Sequence, residues 1–88
     1  MHKRNVNVLG MELDRWTHKS CCGDFGVGEN WATLYSIESK KEGRGDATEL
    51  LRRAKIEYER QGKVVGGTIA LNPKMRKIYN KLGYIEYI

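Results

Sequence analysis

Trp31-Ala32-Thr33-Leu34-Tyr35-Ser36-Ile37-Glu38, followed after Ser39-Lys40-Lys41 by Glu42-Gly43-Arg44-Gly45-Asp46-Ala47, is the stretch that decides the fold of this chain. Its first eight residues alternate. Trp31, Thr33, Tyr35 and Ile37 face one way and Ala32, Leu34 and Ser36 the other, the period of a strand. The glycine-rich turn then opens a helix over about 46–61, because Ala47, Leu50, Leu51, Ala54 and Tyr58 recur at helical spacing and Gly62 stands where a helix end wants positive φ. Small residues let backbone N–H groups approach an anion, and the helix adds the positive end of its dipole. The turn is therefore a candidate anion seat. It is not a Walker loop, since Gly45 is followed by Asp46-Ala47 instead of Lys-Ser/Thr, and Gly43-x-Gly45-x-Ala47 lacks the G-x-G-x-x-G spacing of dinucleotide sites.

Downstream, residues 63–71 read as a Val- and Ile-containing strand, in which Gly66-Gly67 implies a bulge or a close approach to a neighbour. Asn72 is placed to cap a second helix with Pro73 at its first position and Gly83 at its close; Met75, Ile78, Tyr79 and Leu82 share one face. Residues 84–88 form a last short strand. Upstream, Val6 to about Thr17 reads as one or two short strands broken at Gly10, and Cys22–Asn30, rich in Gly, Asp and Asn, reads as a loop. Strand, helix, strand, helix, strand is a mixed α/β order.

Eighty-eight residues make one small domain, spanning 1–88, with no room for a second. Hydrophobic content of 40% supports a core, 31% charged residues support solubility, and no apolar run is long enough to span a membrane. Met1-His2-Lys3-Arg4 is basic, but the polar stretch after it is no signal-peptide core, so a cytoplasmic location is expected. Sixteen basic and eleven acidic residues give a formal charge of +5, which attracts coenzyme A, acidic proteins and nucleic acid alike. Beyond that charge nothing indicates nucleic acid: Arg52-Arg53-x-Lys55 shares its helix with Glu49, Glu57 and Glu59, a solvated face. Cys21 and Cys22 are adjacent and poorly placed to bridge, so they read as reduced thiols in a turn. His18-x-x-Cys21-Cys22 lacks the second ligand pair of a zinc site, so no metal is expected.

From about Trp31 to Tyr84 the chain resembles the GNAT family of acetyl-coenzyme A-dependent N-acetyltransferases. The family's Arg/Gln-x-x-Gly-x-Gly/Ala motif is matched by Glu42-x-x-Gly45-x-Ala47 with Leu50-Leu51 behind it. Its later motif is matched by Asn72, by Tyr79 seven residues on, and by Leu82-Gly83-Tyr84 in the same register. Residues 1–30 match nothing comparable. Two departures stand out: Glu42 replaces the leading Arg/Gln, and Asp46 puts a second carboxylate in the loop. The anion seat survives if both side chains turn outward, as binding through backbone allows. The resemblance implies a mixed, mainly antiparallel, twisted sheet with two helices, lacking the family's usual N-terminal helices. It implies acetyl-CoA as co-substrate, contacted by Ile37, Ser39, Gly43, Arg44, Gly45, Asp46, Ala47, Thr48, Asn72 and Tyr79. An open acceptor side favours a protein lysine as acceptor, and the exposed sheet edge would be covered by pairing in a homodimer.

Acetyl transfer needs a proton acceptor for the attacking amine and a proton donor for the departing thiolate. Tyr79 matches the family's donor; without the motif it would read as an aromatic packed with Ile78 and Leu82. The strand before the loop offers Trp31 and Thr33 where family bases sit, and neither abstracts protons. Glu29, two residues earlier on the same face, is the first candidate base, with a water chain as its equal alternative, and Glu38 lies on the opposite face close to the loop. A coenzyme-binding module of the same fold without turnover is the alternative function, and a nucleic-acid-associated protein the third.

Overall fold

In a computed structural model, described for residues 1–40, 45–68 and 73–86, the protein is α/β, with a six-stranded mixed sheet and two helices. The elements are β1 (His2–Val8), β2 (Met11–His18), β3 (Cys21–Val27), β4 (Trp31–Ser39), α1 (Asp46–Arg60), β5 (Val64–Gly67), α2 (Pro73–Leu82) and β6 (Ile85–Glu86). The strands lie in the sheet in chain order. β1 to β4 form an antiparallel meander, whereas β5 pairs parallel with β4 and β6 parallel with β5.

Both parallel steps move across the sheet in one direction, so right-handed crossovers put α1 and α2 on the same face. Contacts between them agree: Tyr84 Oη donates to the Leu51 carbonyl at 2.6 Å, and Lys55 packs beside Gly83. Between helices and sheet lies a core built on Trp16, Phe25, Leu34, Leu50, Leu51 and Tyr58, extended by Val65, Tyr79 and Tyr84. Tyr58 ties α1 to β2 through polar atoms as well. Trp16 Nε1 donates to Tyr58 Oη at 2.9 Å, and Tyr58 Oη donates to Asp14 Oδ2 at 2.7 Å, so each buried polar atom of the group has a partner. The face of α2 carrying Met75, Ile78, Tyr79 and Leu82 packs on this core as its spacing predicts. Gly62 and Gly83 end the two helices with φ of 81° and 79°.

Three sequence expectations change. The N-terminal segment is two full strands, joined by Leu9-Gly10 with both residues at positive φ, the turn that fits the twist of a hairpin. Residues 22–27, expected in a loop, belong to the interior strand β3, and the Cys21-Cys22 pair begins it. Its glycines are there for space. A Cβ on Gly23 would lie 3.1 Å from Leu50 Cδ2 of α1, and one on Gly26 would lie 2.2 Å from Tyr35 Cε2. The alternation of β4 is interrupted, since Asp24 pairs with Ser36 but Phe25 with Leu34, leaving Tyr35 as the extra residue of a bulge. Beyond the bulge the faces exchange, and Ile37 joins the core with Ala32 and Leu34 instead of facing away with Trp31. The strand expected over 63–71 is seen as Val64–Gly67; residues 69–72 and 87–88 lie outside the described residues. Among the described residues no helix is long and apolar enough to cross a membrane.

Candidate functional site

The sheet changes character where β4 meets β5. Pairing covers only Trp31–Leu34 of β4 against Val64–Gly67 of β5, and ends with Thr68 N–H donating to the Leu34 carbonyl at 3.1 Å. β4 continues to Ser39. Among the described residues no strand flanks positions 35–38 on the β5 side, so β4 offers main-chain donors and acceptors there to an extended, amide-bearing ligand, as an open strand edge does. The bulge at Tyr35 lies at the mouth of this gap, and Ile37 and Ser39 lie beyond it on the helix-bearing face, Ser39 opposite Cys21.

At the end of β4 the chain enters α1. Gly45 precedes the helix at φ 75° and ψ 10°, a left-handed conformation, and among the described residues no side chain caps the N-terminus. The first-turn N–H groups of Asp46, Ala47 and Thr48 thus stand at the positive end of a four-turn helix, without a side-chain acceptor among the described residues. Asp46 does not turn outward to solvent, as the sequence reading required. It is buried, with Oδ2 accepting from Ser20 Oγ at 3.4 Å on the β2–β3 turn. There, burial and then the Asp46 charge push the Cys21 thiol up to about 11. Cys21 is therefore a protonated core thiol at neutral pH, inert as a nucleophile. Gly43, Arg44 and Glu42 lie outside the described residues, as does Asn72.

Tyr79 reaches from α2 to the end of β5. Its ring stacks on Tyr84 with centroids 5.6 Å apart and planes within 9°. Its hydroxyl donates to the Thr68 carbonyl at 3.1 Å, beside the point where β4 and β5 part. Gly67 makes this approach possible, because a Cβ there would lie 2.2 Å from Tyr79 Oη; this is the close approach that Gly66-Gly67 implied. Burial, then the charge of Glu86, raises the Tyr79 pKa, so the phenol keeps its proton at neutral pH and is suited to donate one.

Glu29 is elsewhere. It is exposed at the turn before β4, and its main-chain carbonyl accepts from Lys63 Nζ at 3.0 Å. The Tyr79 hydroxyl lies level with Leu34, five residues further along, roughly 17 Å at strand rise. The structure does not bring Glu29 and Tyr79 together, and the carboxylate that it does bring to the Tyr79 side is Glu86, paired across β5–β6 with Gly67 and bound to Arg76 at 3.2 Å. Sequence reasoning missed Glu86, for which no motif position existed. It also took Tyr84 only as the end of a triplet, although an apolar-Gly-aromatic ending is the signal of a ring folded back over its own helix. Comparison of the chain with protein-family models, curated proteins and solved structures returns no match.

Proposed function

We propose that this protein is an acetyl-CoA-dependent N-acetyltransferase acting on an amine, a lysine of a protein. The observation that carries the reading is the parting of β4 from β5 between a helix N-terminus that no described side chain caps and the Tyr79 hydroxyl. These three features suit the three parts of one co-substrate: amides along β4 for its arm, α1 amides for its pyrophosphate, and a phenol for its sulfur. The neutral amine attacks the thioester carbonyl carbon. As the C–N bond forms and the C–S bond breaks, the thiolate takes the Tyr79 proton, the amine's surplus proton passes to water, and the phenolate is reprotonated from solvent. The bond from Tyr79 to Thr68, long for a hydroxyl donor, is given up in that step. The inward turn of Asp46 removes one carboxylate from the phosphate side and supports the anion seat. Reduced Cys21 and Cys22 accord with a cytoplasmic setting.

A second reading is a coenzyme-binding module without turnover. Its support is that Glu86 is committed to Arg76 and Glu29 is remote, leaving no unengaged carboxylate beside Tyr79 among the described residues. Release of free thiol from acetyl-CoA, with and without lysine peptides and whole-protein acceptors, separates the two. Transfer with Tyr79→Phe slowed about 10²–10⁴-fold supports the enzyme; tight binding with no thiol release supports the module; absence of both rejects the fold-based reading.

A further inference from the structure

The β1–β2 hairpin closes on a turn whose first residue the fold does not account for. Leu9 and Gly10 occupy its two central positions, with φ of 51° and 83°. Two positive angles in succession are the conformation that Asn-Gly or Asp-Gly adopts readily, whereas the Cβ of a leucine there meets a steric cost. No contact of the side chain offsets that cost, because Leu9 is fully exposed. The turn is held by its neighbours instead: Gly10 supplies the second positive φ, and its N–H donates to Asn7 Oδ1 at 3.1 Å. Lys19 gives the contrast. It is the other non-glycine residue at positive φ among the described residues, and it too is exposed, but water solvates its ammonium. At Leu9 backbone and solvent both disfavour the residue present, a local conflict of the kind that functional positions carry.

The residues around it define what it would meet. Val8 and Met11, paired across the hairpin, are 38% and 48% exposed, so three apolar side chains stand together at the tip. The next pair back is Asn7 with Glu12, and the nearest cations of the hairpin, Arg4 and Arg15, face each other four residues behind Val8 and Met11, roughly 13 Å at strand rise. A cytoplasmic lipid surface is negatively charged and favours apolar groups with cations beside them; here it would meet the Glu12 carboxylate first. A folded protein suits the same order of groups. An apolar pocket one leucine deep would take Leu9 between Val8 and Met11, and a rim of hydrogen-bond donors or cations would meet Asn7 and Glu12, the apolar centre and polar margin of a protein interface.

We infer that the tip of the β1–β2 hairpin is a docking knob for the folded acceptor protein, inserting Leu9 into an apolar pocket away from the reacting lysine; the inference rests on the acetyltransferase reading. β1 lies four strands from β5, about 19 Å across the sheet, and Tyr79 bonds at the end of β5, so knob and transfer would engage separate parts of one acceptor. The test compares acetyl transfer from labelled acetyl-CoA to the intact proteins of a cell extract with transfer to a chymotryptic digest of that extract, which keeps the lysines and lacks folded pockets. Leu9→Asn, the residue that the turn favours, is expected to raise the urea midpoint of unfolding, to slow transfer to intact proteins about tenfold or more, and to leave transfer to the digest unchanged. Leu9→Met, which keeps an apolar side chain, should retain most of the transfer to intact proteins. Intact-protein rates that Leu9→Asn leaves unchanged, an equal loss on both acceptors, transfer by wild type to the digest alone, or a urea midpoint that does not rise overturns the knob and leaves the acetyltransferase reading standing. Vesicles containing phosphatidylserine that bind wild type but not Leu9→Asn would assign the tip to lipid and overturn it as well. No transfer by wild type to either acceptor rejects the acetyltransferase reading and the docking role with it.

Discussion

The two faces of one sheet carry similar kinds of side chain and opposite degrees of burial. On the helix-bearing face, Phe25, Leu34, Leu50 and Leu51 are at most 2% exposed; on the other, Trp31, Tyr35 and Met11 remain more than two fifths exposed. Folding of the single chain thus draws mainly on one face. The other is buried only in part, at Leu13, Thr33 and Asp24, and the candidate site lies on the covered face, where Tyr79 is held by packing.

The largest test of that division is truncation on either side. Phe25→Ala should cost about 3–5 kcal/mol of unfolding free energy and Leu50→Ala about 2–5 kcal/mol, whereas Met11→Ala should change the stability of the monomer by less than about 0.5 kcal/mol. Urea denaturation at low protein concentration measures all three. A Met11→Ala loss equal to that of Leu50→Ala would erase the distinction between the faces.

Gly67→Ala probes the seam between the covered core and the site. The added methyl meets a buried ring, so it should cost about 1–3 kcal/mol and shift the near-ultraviolet signal of the stacked Tyr79–Tyr84 pair. Gly26→Ala meets the exposed Tyr35 ring, which has room to lift, and should cost less. A reversed order would mean that the open face is packed as rigidly as the core.

A smaller effect is expected with pH. The Cys21 thiol has its folded pKa raised to about 11, mainly by burial and then by Asp46, above the 9.0 of a free thiol. A raised pKa contributes stability that is complete below the unfolded value and is lost as pH rises toward the folded one. Stability should therefore decline between about pH 9 and 11, with burial of Tyr58 and Tyr84 acting in the same direction at higher pH. Cys21→Ala should flatten the first part of that decline, as followed by thermal melts. At the acid end, Arg52 and Arg53 hold Glu49 down to about 2, from an ordinary 4.5, so its contribution is present above pH 4.5 and fades as pH falls toward 2. That pair network is solvent-exposed, and Glu49→Gln should alter acid stability least of all.

How much of this was legible depended on whether a residue's role was local. The helices were readable because capping glycines and a 3.6-residue period are local signals: α1 lies within a residue of its expected bounds, and the α2 face is as read. β3 was hidden because glycine in a strand looks like a breaker until the side chain that fills its place is known, and Leu50 is 27 positions from Gly23. The bulge at Tyr35 was hidden for a related reason, since register belongs to the pair β3–β4 and not to either strand. At the candidate site, the left-handed Gly45 and the nearness of Tyr79 to Gly67 follow from glycine placement, but the inward turn of Asp46 depends on Ser20 across the sheet. Glu29 was placed by face alone. Distance along the strand, which separates it from Tyr79, is what a face assignment omits.

The most direct test of the central reading is calorimetric titration of the folded protein with acetyl-CoA, repeated on Gly45→Asn and Gly45→Val. Asn tolerates the left-handed conformation that Gly45 adopts, while a β-branched residue does not. Saturable binding to the wild type, largely retained in Gly45→Asn and weakened about tenfold or more in Gly45→Val with helix content preserved, is the predicted result. No binding by the wild type, or one affinity across all three chains, would contradict an anion seat at the start of α1.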